Sequence, residues 1–214
     1  MKSRLFTAVL ATSLLIYGCG AIRVTPVETE TNPAIEMVDD EDLGKVYLLP
    51  GFDFSKIDLL VVMDPSTRAV FEKKEIDPDA MAIHLKHGLV TRLSEARVFV
   101  KVTEDRSVLS SLKAFPGKVL VLETSFTELD PGSRALRWLA GLYGAGRTKV
   151  QIESEIRDPE TKRLYFKASS RRIGMMGVFG GDSKDFILES LEGIAASHGA
   201  FVKRIAAGGK VGGQ

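Results

Sequence analysis

The chain has 214 residues, a formal net charge of +1 and 44% hydrophobic residues. That is enough apolar material for one domain with a sizeable core, and too mild a charge for a dedicated nucleic-acid binder. Its single cysteine excludes an intramolecular disulfide framework.

The chain opens MKSRLFTAVLATSLLIYGCG, with Lys2 and Arg4 ahead of an uncharged run from Leu5 to Tyr17. The run is shorter than the ~20 residues of a membrane span and suits the apolar region of a secretory signal. It closes on Leu15-Ile16-Tyr17-Gly18-Cys19, which resembles the bacterial lipobox, where a small residue precedes a cysteine that is lipidated and becomes the mature N-terminus. Residues 1–18 are therefore read as a signal peptide and Cys19 as the lipidation site. The residue after Cys19 is Gly20 and not the aspartate that would resemble an inner-membrane retention signal, so the expectation is an outer-membrane anchor facing the periplasm. Residues 19–45 carry Glu28, Glu30, Glu36, Asp39, Asp40, Glu41 and Asp42 against only Arg23 and Lys45. With two prolines and no apolar periodicity they read as an acidic tether, with Ala34–Val38 as its one stretch open to partial strand order. A coil of that length would hold the domain ~25–30 Å from the lipid.

From residue 46 the pattern alternates strands and helices. Val46–Leu49 and the continuously apolar Leu59–Met63 read as strands, the latter covered on both faces. Asp77-Pro78 opens a helix, with aspartate as the cap and proline at the first helical position. Met81, Leu85, Leu89, Leu93 and Ala96 give that helix a buried stripe. Val98–Val102 follows as a strand, Arg106–Ala114 as a short helix and Val119–Leu129 as a strand. Val150, Ile152, Ser154 and Ile156 alternate with Gln151, Glu153, Glu155 and Arg157, the mark of a strand with one buried face. The turn residues Asp158–Lys162 then make 149–172 a β-hairpin. Asp182 caps a last helix that buries Ile187, Leu191, Ile194, Phe201 and Ile205, and residues 208–214 form a Gly-rich, flexible tail. The expected fold is α/β: a single domain over 46–207, a mixed β-sheet packed with helices, and a long C-terminal hairpin followed by a C-terminal helix.

Several sites are candidates. Gly141–Thr148, GLYGAGRT, nearly matches the phosphate loop G-x-x-x-x-G-K-[ST]. A phosphate loop follows a strand and opens a helix, however, and here a helix-like run precedes the glycines and a strand follows them. Arginine also stands in place of the lysine, so no nucleotide is expected. His84 and His87 share a helix face, but the spacing offers no third metal ligand. His198 lies on the buried stripe of the last helix and reads as a satisfied core histidine. Glu153 and Glu155 read as a solvated sheet face. No G-x-S-x-G elbow is present, and no histidine has an evident nucleophile partner. The expectation is a protein without catalytic residues, metal site or cofactor.

Two apolar, Gly-rich stretches remain, LRWLAGLYGAG at 136–146 and IGMMGVFGG at 173–181. They lie at the two ends of the hairpin, so they are expected side by side at one edge of the domain. Arginines flank both. Apolar patches rimmed by charge serve as interaction surfaces, and Trp, Tyr and Arg favour them. The expected edge comprises Arg134, Arg137, Trp138, Leu139, Leu142, Tyr143, Arg147, Met175, Met176 and Phe179. The alternative is that Leu136, Leu139, Leu142 and Phe179 simply cap the core.

The segment D-P-G-S-R-A-L-R-x-x-x-G-x-x-G-A-G at 130–146, followed by KVQIESEIRDPETKRLYF and a C-terminal helix, resembles a bacterial lipoprotein family, domain of unknown function 4410. The resemblance spans roughly residues 45–207. It implies an exported lipoprotein with an α/β domain and brings no catalytic residues. Lys162-Arg163 stands at the hairpin turn where such proteins often carry glycine. More distantly, the order of elements is similar to the periplasmic domain of the curli secretion channel lipoprotein. The Gly-rich stretches are too short for that protein's membrane hairpins, whose strands each need ~9–11 residues.

Together these features predict a non-enzymatic outer-membrane lipoprotein facing the periplasm. It would contact the membrane through its lipid and bind an envelope protein, or itself, through the Gly-rich edge, with no nucleic-acid partner. The alternatives are a subunit of an envelope transport or secretion assembly with that edge against the membrane, and, third, a hydrolase or metal enzyme.

Overall fold

The computed structural model describes residues 20–26, 35–69, 76–132, 147–175 and 182–212. Among these, eight strands form one mixed sheet. They are β1 (Gly20–Val24), β2 (Val38–Asp40), β3 (Gly44–Leu48), β4 (Leu59–Val62), β5 (Lys101–Thr103), β6 (Val119–Asp130), β7 (Lys149–Arg157) and β8 (Leu164–Met175). The order is β2-β3-β8-β7-β6-β4-β5, with β1 on β8 beyond the end of β3. β4 runs parallel to both β5 and β6, and every other pair is antiparallel. The α/β fold read from the sequence is the one observed.

Two helices, α1 (Pro78–Glu95) and α2 (Ser183–Ala206), pack on each other and on one face of the sheet. Asp77 caps α1 by accepting from the amides of Asp79 and Ala80 at 3.0 and 3.2 Å, and Asp182 accepts from Lys184 at 3.0 Å to cap α2. Met81, Leu85, Leu89 and Leu93 are buried on α1, and Ile187, Leu191, Ile194 and Phe201 on α2. Each such side chain contributes roughly 1.5–3 kcal/mol by leaving water. They meet Leu60, Val62, Leu120, Leu122, Ile152, Ile156 and Phe166 from the sheet. The helices approach closely at Gly199, where a Cβ would lie 2.8 Å from the Arg92 carbonyl oxygen. Phe54 sits at the heart of this layer, edge-on to Phe52, Phe99, Phe166 and Phe201.

The opposite face is divided. Leu59, Val61, Val119 and Val121 are covered by Val108, Leu109, Leu112 and Phe115, which belong to or follow the 3-10 segment Arg106–Ala114. Further along β6, β7 and β8 this face is polar. The strand expected over 98–102 is displaced to 101–103. Val100 stays 79% exposed, because β5 joins β4 only from Lys101, opposite Leu59.

The N-terminal segment departs most from expectation. Gly20–Val24 and Val38–Asp40 are strands, so much of the expected tether is built into the sheet. Asp40 is buried, and its carboxylate also accepts from the Gly212 amide at 3.1 Å. That contact draws the described part of the C-terminal tail onto the N-terminal segment.

At the hairpin turn Asp158 accepts from the amides of Glu160 and Thr161 at 3.0 and 2.8 Å. Lys162 then takes a left-handed backbone, φ 59°, a conformation that glycine adopts without steric cost. A left-handed residue with a Cβ costs roughly 1–2 kcal/mol, against roughly 0.5–1 kcal/mol of extra chain entropy that glycine loses on folding. Lys162→Gly should therefore raise stability by about 0.5–1 kcal/mol, measured by urea unfolding; a loss of stability would mean that the turn carries no such strain.

Candidate interaction site

The two Gly-rich stretches spring from adjacent points. β6 ends at Asp130, opposite Lys149 at the start of β7, and Lys149 in turn lies opposite Ile173 of β8. Gly132, in a left-handed conformation with φ 72°, donates its amide to the Asp130 carboxylate at 3.0 Å and turns the chain out of β6. Buried Thr148 ties the roots together. Its hydroxyl donates to the Pro131 carbonyl at 3.1 Å, and its own carbonyl accepts from the Gly174 amide at 2.9 Å. Gly174 leaves no slack, since a Cβ there would stand 3.3 Å from Thr148 Cβ and 3.4 Å from Phe186 Cβ.

A third segment reaches the same place without a signal in the sequence. β1 runs antiparallel along the end of β8, with Gly20 opposite Met175, Ile22 opposite Ile173 and Val24 opposite Arg171. Of the residues assigned to the edge, Arg147 is half-buried and Met175 ends β8. Arg134, Arg137, Trp138, Leu139, Leu142, Tyr143, Met176 and Phe179 lie outside the described residues, as does Cys19.

The polar face of the sheet requires a correction. Glu153 and Glu155 are on one face, as their alternation requires, but that face is not simply solvated. Their side chains are 16% and 22% exposed and converge on Lys167, itself 10% exposed, at 3.0 and 3.2 Å. Burial alone would lower the Lys167 pKa; the hydrogen bonds and charge of Glu153 and Glu155 outweigh it and hold the ammonium above its ordinary value. Arg157 adds a contact to Glu155 at 2.6 Å, and Arg171 one to Glu128 at 2.9 Å. Carboxylates paired in this way join neighbouring strands.

Beside this network lies an open cleft of about 570 Å³, lined by Asp64, Ser66, Arg68, Glu123, Ser125 and Glu153, among others. Asp64 follows β4 and bridges Lys86 of α1 and Arg106 at 2.8 and 2.9 Å. The hydrogen bond from Lys86, helped by Arg106, holds its carboxyl below the ordinary range. The cleft had no local signature in the sequence, because its walls come from the segment 63–68 after β4, from β6 and from β7.

His198 is a satisfied core residue, as its position on the stripe predicts. Its Nδ1 lies 2.9 Å from the Ile194 carbonyl and its Nε2 3.0 Å from Ser154 Oγ. A carbonyl only accepts, so Nδ1 carries the proton and Nε2 accepts from the serine hydroxyl. His84 Nε2 lies 3.6 Å from the Glu192 carboxylate of α2. Among the described residues no three His, Cys, Asp or Glu side chains are grouped to hold a metal, and no helix is long and apolar enough to cross a membrane.

The family model described as a domain of unknown function, DUF4410, matches residues 53–183. The chain belongs to this family. The match covers β4 to β8, α1, the residues that line the cleft and both Gly-rich stretches, and it ends at the start of α2. No curated protein matches the sequence. Among solved structures, the chain is similar to the PelC dodecamer from Paraburkholderia phytofirmans at 12% identity, covering 71% of this chain and 95% of that one, with a TM-score of 0.47. The protein XCC0632 from Xanthomonas campestris aligns at 9% identity over 75% of this chain and 90% of its own, with a TM-score of 0.44. The lipoprotein GNA1162 from Neisseria meningitidis aligns at 13% identity over 59% and 86%, with a TM-score of 0.36.

Proposed function

We propose that this DUF4410 protein is a non-enzymatic lipoprotein, anchored at Cys19 in the outer membrane and facing the periplasm. It acts by binding an envelope protein, or a second copy of itself, through the Gly-rich edge. One observation carries this reading: Thr148 binds Pro131 on one side and Gly174 on the other, so both apolar, arginine-flanked stretches leave the sheet from one spot. Separate stretches scattered over the surface would serve core capping equally well. Apolar stretches rooted at one spot suit a shared surface of the kind that partners cover. The absence of an enzymatic role is supported by the pairing of Glu153, Glu155 and Asp64 with cations and by the enclosure of His198.

In-cell cross-linking of the anchored protein tests the reading. Trp138→Asp combined with Phe179→Asp should abolish the cross-linked adducts while the protein remains at normal level in the membrane fraction. Adducts that persist unchanged would remove the edge as the binding surface. Adducts composed solely of this chain would identify the partner as a second copy.

A further inference from the structure

Residue Cys19 directly precedes β1, and β1 is hydrogen-bonded along the last residues of β8 from Gly20 to Val24. We infer that the domain lies flush on the lipid surface, with the end of the sheet bearing Pro131, Thr148 and Gly174 against the phospholipid headgroups and the Asp158–Arg163 turn pointing away. The inference rests on the anchor proposed above and adds an orientation and a lipid-contacting surface to it. Its basis is reach. Consecutive Cα atoms stand 3.8 Å apart, so an acylated Cys19 cannot be more than a few ångströms from Gly20, which is fixed opposite Met175.

The free coil that the sequence predicted would have let the domain tumble ~25–30 Å from the bilayer. No such coil separates Cys19 from the sheet. The far end is distinct, because β8 runs from Leu164 to Met175, a span of about 35 Å at ~3.3 Å per residue. Only one end of the sheet can therefore touch the lipid. Exposed Arg23 on β1 and half-buried Arg147 lie at that end together with exposed Asp182 and Asp185 at the start of α2, so its charge is mixed. Arg171 and Lys149 are engaged with Glu128, so chain reach, more than charge, sets the orientation. A partner bound at the edge would then be met at the membrane surface.

The test uses the full lipidated protein in phosphatidylethanolamine–phosphatidylglycerol vesicles whose headgroups carry a short-range fluorescence quencher. With Cys19 acylated, one introduced cysteine gives a unique labelling site. Dyes on Arg23→Cys and, separately, on Lys149→Cys should be quenched several-fold more strongly than a dye on Thr161→Cys at the far turn. Equal quenching at near and far positions, in protein that floats with the vesicles, would overturn the orientation and leave the anchor intact. Failure of the wild-type protein to float would overturn the anchor itself, and the orientation with it. Two near positions on different strands guard against one variant that misfolds.

Discussion

Replacing Arg204 with alanine is expected to destabilise the domain by about 3 kcal/mol, more than most surface changes, because it strands a buried carboxylate. Arg204 reaches back from the last turn of α2 and binds both oxygens of Asp40, at 2.9 and 2.7 Å, and Asp42 at 2.8 Å. The Asp40 side chain is 0% exposed and Arg204 only 22%. Breaking a buried pair by removing one member costs ~3–5 kcal/mol, and the part of Arg204 that stays wet argues for the lower end. The amides of Asp42 and Gly212, at 2.9 and 3.1 Å, would remain as partial compensation. Urea unfolding should show a midpoint lowered by roughly 1–2 M. The double variant Arg204→Met with Asp40→Leu should be less damaging than Arg204→Ala alone, since the fully buried Asp40 carboxylate is then removed as well. A loss below about 1 kcal/mol in Arg204→Ala would show that water screens the pair as it does on a surface.

The same pair explains why the N-terminal segment misled. Glu36, Asp39, Asp40, Glu41 and Asp42 look like a solvated acidic tether, because clustered like charge within a few residues normally stays in water. The cation that permits the burial of Asp40 is Arg204, more than 160 residues away, and nothing local marks it. β1 and β2 were hidden for a related reason. They are short strands with little alternation of their own, and their order comes from pairing with β8 and β3. By contrast, β7 and β8 were legible because each buries one face over many residues, so alternation recurs often enough to read. Asp77-Pro78 and Asp182 were legible because a helix cap is local chemistry.

Legibility at the candidate site follows the same division. That the Gly-rich stretches would leave the sheet from adjacent points followed from their places at the two ends of one hairpin, and Thr148 joins those roots. The polarity of the face carrying Glu153 and Glu155 was readable, but its wetness was not, since alternation says which residues share a face and is silent on what neutralises them. Lys167 enters through its register opposite Glu155, which sequence spacing does not fix until the strands are paired. The arrival of β1 beside the end of β8 was not readable at all. The proposed orientation at the membrane rests on this arrival.

Acidification should produce the other large effect, through His198. Burial pushes its pKa down from 6.5 to about 4; the Ile194 carbonyl raises it slightly and the Arg172 charge opposes protonation further. The folded protein thus holds a neutral ring at a pH where the unfolded chain already binds a proton. With the folded pKa below the unfolded one, the unfolded state carries more protons between pH 6.5 and 4, so stability falls as pH falls through that window. A single group with this difference removes ~2.5 kcal/mol between pH 7.5 and 4.5. Asp40 acts lower. Burial would raise its carboxyl, but Arg204 and the backbone amides outweigh that and hold it below its ordinary 3.8, so its contribution persists above that value and is lost only as pH falls beneath it. The two windows are separable by measurement. His198→Gln should be less stable than wild type at pH 7.5, since Ser154 Oγ loses its partner on α2, yet it should show a flatter profile between pH 6.5 and 4. Parallel profiles for the two proteins would mean that His198 is protonated in the fold and that the Nδ1–Ile194 and Ser154–Nε2 arrangement is wrong.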